Sequence, residues 1–138
     1  MIDLLKVRPG DRVLMISIAD PGVVEAVAGL LTGGLLVGLG EDEEVRAARR
    51  SARDIENVMF VPAPPDDIPW QGSYFTKAVD IACRWRQPER FARELRRVLA
   101  RGGTAYLAKA STVREYLLAE GFAEDGTEGP FSVFRLPG

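Results

Sequence analysis

A chain of 138 residues, 46% apolar and 28% charged, has the size of one domain and can bury a self-sufficient core. Eighteen Lys and Arg against 20 Asp and Glu leave a net charge of −2, which gives no global pull toward nucleic acid or an anionic membrane. The absence of histidine and the single cysteine, Cys83, exclude Ser-His-Asp and Cys-His catalysis, an intramolecular disulfide and a structural zinc site.

Arg12 to Ile18 is a continuous apolar run, the pattern of a strand covered on both faces in a parallel sheet. Asp20 then offers an N-cap and Pro21 a first helical position. Together they predict a helix to about Leu31, burying Val23, Val24, Val27, Leu30 and Leu31 on one face. Thr32-Gly33-Gly34 ends it through left-handed backbone, and Leu35 to Leu39 is a second strand. Glu41 to about Asp54 reads as a second helix. Its acids at 41–44 and its Arg49, Arg50 and Arg53 complement the helix macrodipole. Val58 to Val61 is a third strand, followed by Pro62, Pro64, Pro65 and Pro69, which interrupt regular structure.

Lys77 to Cys83 is a fourth strand. Pro88 opens a helix that turns Phe91, Leu95, Val98 and Leu99 inward and is stopped by Gly102-Gly103. Thr104 to Ala108 is a fifth strand, and Ser111 caps a helix through Glu120. Phe122 to about Asp125 is a sixth strand, and Phe131 to Leu136 closes the chain as an antiparallel one. This alternation predicts one domain over residues 1–138. Its class is α/β, a Rossmann-like three-layer sandwich with a mostly parallel sheet.

Four stretches carry a family resemblance: VRPGDRVL (Val7–Leu14), GLGEDEEVRAARR (Gly38–Arg50), NVMFVPAPPDDIPW (Asn57–Trp70) and PERFARELRRVLARGG (Pro88–Gly103). From Leu5 to about Gly121 the chain resembles the class I S-adenosylmethionine-dependent methyltransferases. Within them it is similar to the type 11 branch, whose acceptors are small molecules, quinones or lipids. The resemblance implies S-adenosylmethionine as the cofactor and no metal. It places Ser17, Ala19 and Asp20 at the first turn, Glu41 and Asp42 near the ribose, and Asp66, Asp67 and Trp70 near the adenine.

The departures fall on that cofactor. Where the family carries an acid and a Gly-x-Gly-x-Gly turn, this chain has Met15, then Ser17, Ala19 and Pro21. Gly40 stands at the ribose acid, Pro64 at the adenine-side aspartate, and Thr76 at the aspartate before strand four. Each lost carboxylate hydrogen bond costs roughly 1.5–3 kcal/mol, about one to two decades of affinity. Conventional cofactor binding is therefore not expected.

Arg84-Trp85-Arg86 follows strand four, at the carboxyl edge where ligands of this architecture bind. An aromatic between two arginines there suits a stacked planar or anionic group or an interface anchor. The plainer readings are preferred elsewhere: Asp20 as a helix cap, Glu41 and Asp42 as favourable first-turn acids, and Arg90, Arg93, Arg97 and Arg101 as a solvated face.

The expectation is a methyltransferase-fold protein with a degenerate cofactor site, non-catalytic and acting as a binding or partner-stabilising module. The alternative is an active, atypical methyltransferase acting on a small-molecule acceptor, its catalytic residue unassigned. A weaker third reading is a pocket for another nucleotide or metabolite, with Arg84 and Arg86 supplying positive charge. A protein partner or self-association is expected, without nucleic acid. The lone cysteine and the lack of a spanning or signal-like run point to the cytoplasm.

Overall fold

Val13, Leu14 and Met15 are each at most 1% exposed, because the strand that holds them is covered on both faces. The computed structural model describes residues 5–138. In chain order the elements are β1 (Arg12–Met15), α1 (Pro21–Leu30), β2 (Leu35–Gly40), α2 (Asp42–Ser51), β3 (Val58–Pro62), β4 (Phe75–Asp80), α3 (Pro88–Val98), β5 (Leu99–Leu107), α4 (Arg114–Ala119), β6 (Ala123–Glu128) and β7 (Phe131–Arg135). The strands form one seven-stranded sheet in the order β3-β2-β1-β4-β5-β7-β6. The first five in that order run parallel, and β7 pairs antiparallel with both β5 and β6.

Side chains alternate across the strands and so build two cores. Val13, Met15 and Leu36 pack with Val24 and Val27 of α1 and Val45 of α2. Leu14 and Val37 pack with Phe91 and Leu95 of α3 and Leu117 of α4. The three layers expected from the alternation are therefore present. Leu30, expected on the buried face of α1, is 43% exposed.

Several boundaries differ from the sequence pattern, each for a polar or steric reason. β1 stops at Met15, since the chain begins to turn after Ile16 donates its last strand-like bond to the Val79 carbonyl (2.9 Å). β4 ends at Asp80 rather than Cys83, because the Asp80 carboxylate accepts the Cys83 N–H at 3.0 Å and Cys83 adopts φ 53°. β5 begins at Leu99, immediately after α3. The glycines expected to stop that helix instead accommodate a shift of register, where Gly102 takes φ +80°. α4 starts at Arg114, behind Val113, so Ser111 does not cap it. Gly34 is needed for contact rather than for a left-handed turn: a Cβ there would stand 2.0 Å from the Asp11 carbonyl oxygen.

The proline segment after β3 is held by α3. Arg97 donates to the carbonyls of Ile68 (2.6 Å) and Trp70 (2.7 Å), and Glu94 accepts the Ile68 N–H at 2.7 Å. The Arg97 guanidinium holds the Glu94 carboxyl below the usual range. These bonds hold the Ile68–Trp70 backbone against α3 on its way back to the start of β4.

Candidate ligand cleft at the carboxyl edge

The strand order reverses direction between β1 and β4, which is where open α/β sheets leave a crevice. At the carboxyl ends of β1, β2 and β4 the chain forms an open cleft of ≈ 770 Å³. Its walls are Ser17, the start of α2 from Glu41 to Glu44, the segment Pro62–Asp66, and the loop from Ala82 to Arg86. That volume lies within the range of small-molecule sites.

Asp80 closes the floor. It is 1% exposed and has no cationic partner among the described residues. Its Oδ1 accepts the Ser17 hydroxyl at 2.8 Å and the Cys83 N–H at 3.0 Å, while its Oδ2 accepts the Trp85 indole N–H at 2.8 Å. The Ser17 hydroxyl in turn accepts the Ala82 N–H at 3.2 Å. Burial raises the Asp80 carboxyl above its usual range, and these hydrogen bonds pull in the opposite direction. The cluster ties the turn after β1 to the loop after β4.

The turn itself is filled by its own side chains. The Met15 thioether accepts the Ala19 N–H at 3.3 Å. Ile18 lies across the end of β2: a Cβ on Gly40 would meet Ile18 Cδ1 at 3.0 Å, and one on Gly38 would meet Ile18 Cγ1 at 3.2 Å. Glu44 folds back over the same place and accepts the Glu41 N–H at 2.9 Å. Its other carboxylate oxygen faces Arg84 across the cleft at 3.7 Å. Gly40 therefore has no room for an acidic side chain without movement of these neighbours.

Trp85 is half-buried and stacked on Phe91, with ring centroids 4.7 Å apart and planes at 16°. Cys83 sits beneath this loop, donating its thiol to the Asp80 carbonyl at 3.2 Å and accepting the Lys109 N–H at 3.3 Å. Burial first, and the Asp80 charge second, push its thiol up to about 11. A thiol held there is protonated at neutral pH and is a poor nucleophile. Among the described residues no three His, Cys, Asp or Glu converge to hold a metal.

No family model matches the sequence, and no curated protein matches it. Solved structures do match. The Bacillus subtilis YcgJ protein superposes with a TM-score of 0.75 at 19% identity, over 90% of this chain and 67% of its own. A chain from the Haloferax volcanii complex of the Trm112 methyltransferase activator with a methyltransferase gives 0.81 at 16% identity, over 99% and 87%. An S-adenosylmethionine-dependent methyltransferase from Aquifex aeolicus gives 0.77 at 14%, over 93% and 82%.

The fold is that of the class I methyltransferases.

On this methyltransferase fold the residues singled out from the sequence separate into two groups. Ser17, Glu41, Asp42, Asp66, Arg84, Trp85 and Arg86 all line the cleft. The other four lie elsewhere. Asp20 caps α1, accepting the Val23 N–H at 3.1 Å. Ala19 faces a separate, narrow groove between α1 and α2, and Asp67 borders a shallow depression with Arg90, Arg93 and Glu94. Trp70 packs on Tyr74 and Phe75 with centroids 5.7 and 5.8 Å away.

Sequence reasoning missed Asp80 and Glu44. Asp80 had a readable signal: it is the one acid in the apolar run from Ala78 to Cys83, at the carboxyl end of a buried strand. Glu44 had a local one as well, a Glu three residues after the helix N-cap that folds back onto the Glu41 N–H as half of a capping box; only its approach to Arg84 is unreadable from sequence.

Proposed function

We propose that the protein is a methyltransferase-fold binding module that does not transfer a methyl group from S-adenosylmethionine, and that it works in the cytoplasm by holding a ligand or a protein partner. The observation that carries this reading is the filled turn after β1. Small residues at such a turn let backbone approach a cofactor closely. Here Ile18 covers the end of β2, the Met15 thioether occupies the Ala19 N–H, and the Ser17 hydroxyl is committed to Asp80. The Haloferax volcanii structure, a methyltransferase together with its activator, supports a role through a protein partner. The single free cysteine fits a reducing compartment.

A second reading, an atypical methyltransferase acting on a small-molecule acceptor, is favoured by one observation. The cleft remains open, with Glu41 and Asp42 on its α2 wall and without a cationic partner among the described residues. Methyl transfer asks chiefly for positioning and at most one base.

Calorimetric titration with S-adenosylmethionine and with S-adenosylhomocysteine separates the two. The binding-module reading expects no heat and no thermal stabilisation even at millimolar ligand. Micromolar binding would overturn it in favour of the enzyme. In that event Glu41→Ala and Asp42→Ala should each weaken binding about 10-fold, the loss of one charge-assisted hydrogen bond.

A further inference from the structure

We infer that the cleft binds a flat, positively charged aromatic ligand, its ring laid on Trp85 and its charge turned toward Glu41, Asp42 and Asp66. The inference rests on the binding-module reading, in which the cleft works and the neighbouring turn does not. Its first support is the fixed position of Trp85. One face of the indole is covered by Phe91 and its N–H is bonded to Asp80, so neither the tilt nor the rotation of the ring is free. The ring is still only half-buried, and it lines the cleft. An aromatic surface locked beforehand adds no ordering penalty when a second ring stacks on it.

Charge selects the sign of the ligand. Of the two cleft arginines, Arg84 faces Glu44 at 3.7 Å. Asp80 is consumed by three neutral donors. Among the described residues Glu41, Asp42 and Asp66 form no ion pair, and Arg86 is the cation left facing them within the cleft, although Asp66 also borders the depression that holds Arg90 and Arg93. The field inside the cleft is negative, and a tryptophan face strengthens its preference for a cation. An anionic ring meets three carboxylates and is disfavoured. Glu44 offsets part of the positive charge read into Arg84, while Arg86 keeps its own.

The test uses the full chain carrying Trp70→Phe, so that Trp85 is the only indole, with 9-aminoacridine as a flat monocation. Calorimetry and indole quenching are expected to report one saturable site of micromolar affinity. 9-Anthracenecarboxylate, an anion of the same shape, should bind at least about 10-fold more weakly, and spermidine, a cation without a ring, should not displace the dye. Glu41→Gln with Asp42→Asn should weaken the dye about 10-fold while the protein stays folded by circular dichroism, with only the small loss of stability that neutralising two acids at the start of α2 carries. Trp85→Phe, which keeps a flat ring, should retain binding that Trp85→Leu loses.

Equal affinity for the anion, or binding indifferent to all of these substitutions, would overturn the inference. S-adenosylmethionine titrated into the same protein keeps the two readings apart. Its binding would sink the binding-module reading whatever the dye does. Silence from both ligands would sink this inference alone.

Discussion

Two buried aspartates sit at opposite ends of neighbouring strands, and their surroundings differ in one respect. Asp11, just before β1, is 8% exposed and accepts the Thr76 hydroxyl and the Arg8 N–H, each at 2.8 Å. It also has a cation, with Lys77 Nζ 3.8 Å from its Oδ2. Asp80, at the end of β4, is buried more deeply and is held only by neutral donors. A buried carboxylate facing a cation is a closed electrostatic unit. One held only by neutral donors has no cation set against it, and Asp80 stands so on the floor of the cleft. The amino edge of the sheet is stapled shut, and the carboxyl edge is left open to something positive.

Breaking the amino edge should have the largest effect. Gly34→Ala drives a methyl group to 2.0 Å from the Asp11 carbonyl oxygen, a backbone atom that cannot step aside cheaply. Urea denaturation should register a loss of more than about 4 kcal/mol or no folded protein at all. Gly33→Ala, with no atom within 4 Å of the new methyl, should stay within about 0.5 kcal/mol. A mild effect at position 34 would mean that the β1–β2 start is looser than described.

Asp11→Ala comes next. It strips acceptors from the Thr76 hydroxyl and the Arg8 N–H and leaves Lys77, whose side chain is 16% exposed, without its carboxylate. The expected loss is about 3 kcal/mol, the usual consequence of breaking one partner out of a buried polar unit.

Asp80→Asn should lose less, about 2 kcal/mol at neutral pH, because an amide can still serve Ser17 and Cys83 but turns an N–H toward the Trp85 N–H. Its pH dependence reports on the buried carboxyl. Burial raises the native Asp80 carboxyl above its ordinary value of 3.8, so the native state binds that proton more tightly than the unfolded chain. The stabilisation this provides is complete below 3.8 and is lost as pH rises through the raised native value. The stability gap between the parent protein and Asp80→Asn should therefore be widest in acid and narrow toward neutrality. Urea midpoints from about pH 3.5 to 7 measure it. A gap that is flat across this window would mean that burial does not raise the Asp80 carboxyl.

The sheet was legible in the sequence because burial on both faces leaves long apolar runs such as Val13–Met15 and Leu35–Leu39. Helix α3 was legible from Phe91, Leu95 and Val98, whose spacing a buried face requires. Strand ends were not, since they are set by contacts distant in sequence: Asp80 to Ser17 spans 63 residues. The cleft was half legible. Glu41, Asp42, Asp66 and Trp85 follow strand ends, and chain order alone places them at one edge. That Trp70 and Asp67 turn away depends on Arg97 and Glu94 holding the Ile68–Trp70 backbone against α3. Local pattern carries no trace of such a clamp.

The finest probe of the Asp80 charge is its neighbour Cys83. In the native protein the thiol is pushed from 9.0 up to about 11, so its thiolate fraction at pH 8 is about 100-fold below that of an unfolded cysteine. Alkylation by iodoacetamide should be slowed at least that much. Burial is the larger cause and the Asp80 charge the smaller, so Asp80→Asn should recover only a few-fold of the rate. Full recovery would mean that charge, not burial, governs the thiol. No recovery at pH 8, with the fold intact, would mean that Asp80 is already neutral in the native protein. The cleft floor would then carry no charge for a cation to answer, and Asp80 would tie the two loops together through neutral hydrogen bonds alone.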